Sequence, residues 1–250
     1  MPLVETESLV LKSYNLAEAD RIVVFLTRDH GVVRGVAKGA KRLTSRFGST
    51  LEPFSKVNLE YFQKEERELV TIQTVELIRS CFETASDPAF LRTFSYIADL
   101  LISFAPPHDP NEKLYRMVSA CIDAEPNSPD SLGSIRLYFE VWLLRLGGYL
   151  PDWTRCDNCH RQLDAGEEAN LKADFALLCG NCRRAAGAQK ITPMYRDLFT
   201  TVQKLSPEKF IEFSSAHAEA ATEISDVLKR IISTVIGREV AGEKTFAVNF

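Results

Sequence analysis

Two hydrophobic periodicities divide the chain. Over residues 1 to about 80 the pattern is that of short strands separated by turns, at about 5 to 13, 20 to 28, 31 to 38, 54 to 63 and 69 to 78. Val57, Leu59 and Tyr61 alternate with Lys56, Asn58 and Glu60, which is the period of a strand with one buried face, and Asp29-His30-Gly31 supplies a turn between the second and third strands. Five strands in some 75 residues without a convincing helix predict a small closed or partly open barrel, of which the OB-fold is the commonest architecture.

From about residue 81 the period lengthens to that of a helix. Asp87-Pro88 reads as an N-cap with proline at the first helical position, and Phe90, Leu91, Phe94, Ile97, Ala98, Leu101 and Ile102 mark one apolar face that stops at Pro106-Pro107. A second helix follows Asp109-Pro110 and carries Leu114, Met117, Val118, Cys121 and Ile122. A third runs from about Pro129 to Leu146 and ends at Gly147-Gly148, glycine being the usual terminator. Thr192-Pro193 opens a further helix, and a long one near 215 to 236 has Ile224, Val227, Leu228, Ile231, Ile232, Val235 and Ile236 on one face. The expected fold is therefore α+β and multidomain: a barrel at 1–80, then a mainly α-helical domain at 81–250 with a bundle-like core.

Cysteine spacing adds an insert to that domain, at about 152–185. Cys156-Asp157-Asn158-Cys159 and Cys179-Gly180-Asn181-Cys182 are two Cys-x2-Cys knuckles separated by nineteen residues. Thiolates three residues apart can face one tetrahedral site, and a second pair brought back by a hairpin completes four-coordinate zinc with bonds of about 2.3 Å. Four protein ligands leave no position for water or substrate, so one structural Zn2+ held by Cys156, Cys159, Cys179 and Cys182 is expected. Cys156 to His160 also reads as a haem attachment pattern, but that leaves the second knuckle without a use. Disulfides need an oxidising compartment to which nothing directs the chain. A zinc deaminase needs His-x-Glu ahead of Pro-Cys-x-x-Cys; His217-Ala218-Glu219 comes after the knuckles and no proline precedes them.

Composition, 45% hydrophobic and 26% charged over 250 residues, is that of an ordinary globular protein. There is no apolar run near twenty residues and no charged-then-apolar leader at Met1, so no membrane span is expected and the expected location is cytoplasmic. The net charge of −4 hides an uneven distribution: residues 1–80 hold 12 Lys and Arg against 11 Asp and Glu, a net of +1, leaving 18 against 23, a net of −5, for the rest. Between residues 28 and 46 stand Arg28, Arg34, Lys38, Lys41, Arg42 and Arg46 with Asp29 opposing, and local charge steers a polyanion more than the total does. The loop after the third strand combines Gly, Ser and Thr with four of these cations, a composition suited to a sequence-independent phosphate clamp. Charge runs are also common in plain solvated loops, and composition alone leaves both readings open.

Val33-Arg34-Gly35-Val36-Ala37-Lys38-Gly39-Ala40-Lys41-Arg42, then Ser45, then Leu51-Glu52-Pro53-Phe54, closely resembles the amino-terminal signature of the bacterial RecO recombination-mediator family. The resemblance continues in Arg145-Leu146-Gly147-Gly148-Tyr149-Leu150-Pro151, leading into the knuckles. It implies an amino-terminal OB-fold and a helical carboxy-terminal domain with a zinc insert in many members, while the charge of the basic segment itself places the expected DNA contacts at Arg34, Lys38, Lys41, Arg42 and Arg46. It further implies binding of single- and double-stranded DNA, annealing of complementary strands and, with the partner RecR, loading of RecA onto DNA coated by single-stranded DNA-binding protein. On the third helix, Arg136 and Arg145 are the basic residues that the resemblance associates with capture of the acidic, Phe-ended tail of single-stranded DNA-binding protein.

No catalytic constellation accompanies these features. The sequence has no Walker-type phosphate loop, no Gly-x-Ser-x-Gly and no His-Glu-x-x-His, so nucleotide hydrolysis is not expected. Two readings of other classes remain: a zinc-stabilised protein-interaction adaptor without direct DNA binding, and a zinc-dependent nucleic-acid enzyme, which needs an open coordination position.

Overall fold

The computed structural model describes residues 3–63, 68–182 and 189–237, and its compact units part between Asn127 and Ser128. The last residues of the expected insert, 183–185, lie outside the described residues.

The first unit opens with β1 (Leu3–Leu16), β2 (Asp20–Thr27), β3 (Gly31–Ala37), β4 (Lys56–Phe62) and β5 (Leu69–Arg79), closed into a barrel in the order β1-β2-β3-β5-β4. All neighbours are antiparallel except β3 and β5. β1 closes the barrel because it is long enough to pair twice, with β4 through Leu3–Leu9 and with β2 through Ser8–Leu16. An irregularity between Val10 and Lys12 bends it between the two.

The predicted alternation on β4 is realised: Val57, Leu59 and Tyr61 are fully buried among Val10, Val23, Phe25, Val33, Val70 and Ile72. Aliphatic side chains such as Val57 and Leu59 each contribute about 1.5–3 kcal/mol by leaving water, whereas Tyr61 also buries a hydroxyl for which the described residues offer no partner. Gly35 is required where β3 meets β5, since a Cβ there would lie 2.7 Å from Cγ1 of Ile72. The β2–β3 turn uses Gly31 at φ +66°, and Thr27 Oγ1 steadies it by accepting from His30 N–H at 3.0 Å and donating to Gly31 O at 2.8 Å.

Among the described residues, three helices follow in this unit: α1 (Phe82–Ala85), α2 (Pro88–Phe104) and α3 (Glu112–Asp123). Asp87 caps α2 by accepting from Ala89 N–H, and Asn111 caps α3 by accepting from Leu114 N–H. Phe90 and Phe94 of α2 pack on Phe54, with ring centroids 6.0 and 5.4 Å away. Tyr115 of α3 donates to Glu7 of β1 at 2.8 Å, and Lys56 of β4 pairs with the same carboxylate at 3.0 Å. Strands thus give way to helices near the expected residue 80, while the first three helices cluster with the strands in one compact unit.

The second unit is built on α4 (Pro129–Leu146), which Ser128 opens with a capping box to Ser131. It packs against α6 (Pro207–Ser214) and α7 (Ala218–Ile236), with α5 (Pro193–Thr201) against α7. Nearly the whole circumference of α4 is buried, including Ser134, whose hydroxyl receives a 2.7 Å hydrogen bond from Ser214 of α6. Between α4 and α5 lies a small three-stranded sheet, β6 (Ala169–Leu171), β7 (Leu177–Leu178) and β8 (Lys190–Ile191), in the order β7-β6-β8.

Candidate metal centre and nucleic-acid interface

The small sheet carries the knuckles. The first is tied to its own turn by His160 N–H to Cys156 O at 2.9 Å and Cys156 N–H to Arg161 O at 2.9 Å; the second is a turn of 3-10 helix, Gly180–Cys182, closed by Cys182 N–H to Cys179 O at 3.1 Å. Asp157 N–H donates to Leu177 O on β7, which draws the two knuckles together.

The four thiol sulfurs of Cys156, Cys159, Cys179 and Cys182 all lie within 4.8 Å of one another. Tetrahedral zinc with bonds of about 2.3 Å needs sulfurs about 3.8 Å apart; Cys159 and Cys179 stand at 3.9 Å. The donor set therefore fits a closed, thiolate-only metal site.

The surroundings favour thiolate at Cys156 and Cys179, while at Cys182 the Asn158 amide is outweighed by the neighbouring sulfurs and burial, which push that thiol up. Burial pushes the Cys156 thiol up, but N–H groups of Cys159, Cys179 and Asn158 outweigh it and bring it down to about 6. Asn158 Nδ2 donates to Cys182 Sγ at 3.4 Å, and Cys179 N–H to Cys156 Sγ at 3.4 Å. Arg161, paired with Glu167, also reaches Cys179 and sets a positive charge against the cluster.

Arg196 of α5 fastens this insert to the helices and has no counterpart in the sequence reading. It is nearly buried and donates to the carbonyls of Asp164 (2.8 Å), Glu167 (2.9 Å), Leu163 (3.0 Å) and Trp153 (3.4 Å). Trp153 in turn stacks on Phe199 of α5 at 4.3 Å. The available signal was the position of Arg196, three residues before Phe199 on the buried side of a short helix.

The basic segment is a chain of turns across one end of the barrel. Its start is held by Gly39 N–H to Asp20 Oδ1 at 2.8 Å and Lys41 N–H to Ala19 O at 2.9 Å. Its far half sends Phe47 and Leu51 into the barrel core. With its apolar residues used inward, the segment leaves Lys38, Lys41, Arg42 and Arg46 exposed. Arg46 lies over the Phe47 ring at 4.9 Å and donates to Ile72 O at 3.3 Å. Arg34 is exposed on the wall of β3, opposite Val24 on one side and Leu69 on the other. Among the described residues none of these five cations has a carboxylate at salt-bridge distance, whereas nearby Arg28 is paired with Glu112 at 3.0 Å.

On α4 the two arginines are not brought together. They are nine residues apart, which is two and a half turns and so opposite faces. Arg136 is 9% exposed, within the packed side, as is Glu140 one turn on. Arg145 is exposed, lies over the Trp142 ring at 4.8 Å and donates to Gln203 O at 3.2 Å. It lines a cavity of about 490 Å³ with Leu150, Pro151, Trp153, Phe199 and Lys204. Arg145 thus stands beside a cavity with apolar lining, whereas Arg136 lies in the interior of the helical unit.

Comparison with known proteins follows the same division. The model described as recombination protein O N terminal matches residues 1–81, and that described as recombination protein O C terminal matches residues 86–242. The chain belongs to the RecO family. The DNA repair protein RecO of Koribacter versatilis (strain Ellin345) is 30% identical over 187 residues, 75% of each chain. That of Geobacter metallireducens (strain ATCC 53774 / DSM 7210 / GS-15) is 32% identical over 184 residues, 74% of each chain. That of Anaeromyxobacter dehalogenans (strain 2CP-C) is 25% identical over 246 residues, 98% of this chain and 96% of the relative.

The RecO family is one of DNA repair and recombination, and the five-stranded barrel, the helical domain and the four-cysteine cluster described above are the features this member brings to it. The two RecO models meet between residues 81 and 86, where strands end, whereas the compact units part after α3. Among the described residues no helix of this RecO protein is long and apolar enough to cross a membrane.

Proposed function

We propose that this RecO family member is a cytoplasmic recombination mediator that acts by binding and not by catalysis. In this reading it holds single- and double-stranded DNA through Lys38, Lys41, Arg42 and Arg46, with Arg34 on the adjoining strand. It anneals complementary strands and, with RecR, promotes RecA loading onto DNA coated by single-stranded DNA-binding protein. The observation that carries the reading is a set of five exposed cations without carboxylate partners among the described residues, four on a segment pinned across the barrel end and Arg34 on the adjoining strand. Neutralising phosphates on two strands at once lowers their mutual repulsion, which is what annealing requires.

Zn2+ is the metal best matched to four thiolates at these separations, held by Cys156, Cys159, Cys179 and Cys182. It supplies rigidity to the insert. With every coordination position taken by sulfur, the site supports a structural role over the zinc-enzyme alternative.

A salt titration with single-stranded DNA tests the mediator reading against the adaptor reading. The expected result is an affinity that falls linearly with the logarithm of salt concentration; absence of binding at low salt would leave the adaptor.

The cavity beside Arg145 supports a second contact, with the acidic, aromatic-ended tail of single-stranded DNA-binding protein. Arg145 and Lys204 offer the cations, and Leu150, Pro151, Trp153 and Phe199 an apolar floor. Arg145→Ala is expected to weaken tail-peptide binding by roughly tenfold, the order of a lost charge-assisted hydrogen bond, while naked-DNA affinity is retained. Fluorescence anisotropy with a labelled tail peptide and with a labelled oligonucleotide reads both. Unchanged peptide affinity in Arg145→Ala would move the tail site off this cavity.

A further inference from the structure

Among the described residues the most exposed large apolar side chain is Leu43, at 107% relative exposure, followed by Phe82 at 65%. Single exposed leucines are common on protein surfaces and need no explanation by themselves. Leu43 differs in where it is held and in what surrounds it.

It occupies the corner of a hydrogen-bonded turn, in which Ser45 N–H donates to Arg42 O at 2.9 Å, between a turn closed by Arg42 N–H to Gly39 O at 3.1 Å and one closed by Gly48 N–H to Ser45 O at 3.3 Å. The segment is anchored on one side by Asp20 and on the other by Phe47 and Leu51 in the core. Folding Leu43 inward requires that turn to open, so its exposure is imposed by the backbone. Within three residues of it along the chain stand Lys41, Arg42 and Arg46, all exposed.

A phosphate chain drawn to these cations passes beside an apolar side chain. In a duplex the base faces are stacked against one another and unavailable; in a single strand they are exposed, and every base has one. We infer that Leu43 contacts the faces of unstacked bases in single-stranded nucleic acid held by the surrounding cations. This rests on the reading of the segment as a phosphate-binding loop, and it adds a preference for strand form that phosphate contacts alone do not supply. Because the contact is apolar it is tolerant of sequence, and by displacing base-on-base stacking it leaves base edges accessible to a complementary strand.

The test compares the full-length protein with Leu43→Ala and Leu43→Phe, using a single-stranded oligonucleotide carrying 2-aminopurine and a duplex of the same length. For Leu43→Ala the expected loss is roughly three- to tenfold for the single strand, with an unchanged salt slope and a smaller loss for the duplex. The 2-aminopurine emission change on saturation should shrink in Leu43→Ala and return in Leu43→Phe. Equal losses for both DNA forms, or wild-type behaviour of Leu43→Ala, overturn the inference. The combined Lys38, Lys41, Arg42 and Arg46 alanine variant separates the two levels: if it binds single strands like the wild type, the phosphate-loop reading falls. If it loses binding while Leu43→Ala does not, only the base contact falls.

Discussion

Replacing Lys38, Lys41, Arg42 and Arg46 together by alanine is expected to weaken single-stranded DNA binding on the order of a hundredfold or more at about 0.1 M salt, because each phosphate contact contributes about 0.7 to the logarithmic salt slope. The slope should fall by about 2.8 in the combined variant and by about 0.7 in each single one, with no change in base preference, since phosphate contacts carry no sequence information. Stability should change little. All four side chains are exposed, and among the described residues their hydrogen bonds and ring contacts with the fold are the Arg46 guanidinium over Phe47 and on Ile72 O, and a long 3.4 Å hydrogen bond from Lys41 to Ala17 O. Anisotropy titrations at several salt concentrations, beside thermal melts, decide the matter. An unchanged slope in a folded variant would move the DNA site to the barrel wall. Arg34 and the half-buried Arg21 are then the candidates, because Arg28 is already paired with Glu112.

Purified protein should carry one zinc per chain, and Cys156→Ser or Cys179→Ser should lose it and destabilise the second unit by several kcal/mol. Metal affinity of about 10–16 kcal/mol in small zinc modules is folding free energy, and a site that loses one of four thiolates forfeits much of it. Both of these cysteines are fully buried at the centre of the cluster, so the substitution also leaves a buried hydroxyl among sulfurs. The destabilisation should spread to α5, because the carbonyls of Trp153, Leu163, Asp164 and Glu167 that hold Arg196 all belong to the insert. Metal analysis, chelator-dependent melting and limited proteolysis read these effects. Zinc-free protein that is fully stable, or a Cys156→Ser variant with full metal content, would refute the site. The basic segment belongs to the other compact unit, so the salt slope for naked DNA should persist after metal removal.

Much of the architecture can be read from local order alone. A period of two on Val57, Leu59 and Tyr61 specifies which side of β4 is buried, because successive side chains of a strand face opposite ways. Pro88 after Asp87 and Ser128 before Pro129 specify where α2 and α4 begin, because cap chemistry acts within one turn of helix. The spacing of Cys156, Cys159, Cys179 and Cys182 specifies a four-thiol cluster suited to a metal, since a knuckle is a local turn and two of them suffice. Elements too short to complete a period, such as the three residues of β6 or the two of β8, leave no such trace. The start of α6 was marked only by Ser206-Pro207.

The tertiary structure decided what depends on partners distant in the chain. Barrel closure needs β3 beside β5, a parallel pairing across the long segment between β3 and β4, and periodicity says which face is buried but not which strand lies alongside. The same closure draws Phe47 and Leu51 out of a polar, glycine-containing loop into the core and leaves Leu43 with the cations outside. On α4, Arg136 and Arg145 are chemically alike in sequence. Burial of almost every face of that helix by α6, α7 and its other neighbours makes one interior and leaves the other at the mouth of a cavity. Arg196 obtains its role from four carbonyls that meet it only once the insert folds back on α5, because a backbone acceptor has no signature in the amino-acid code and becomes specific through its position in space.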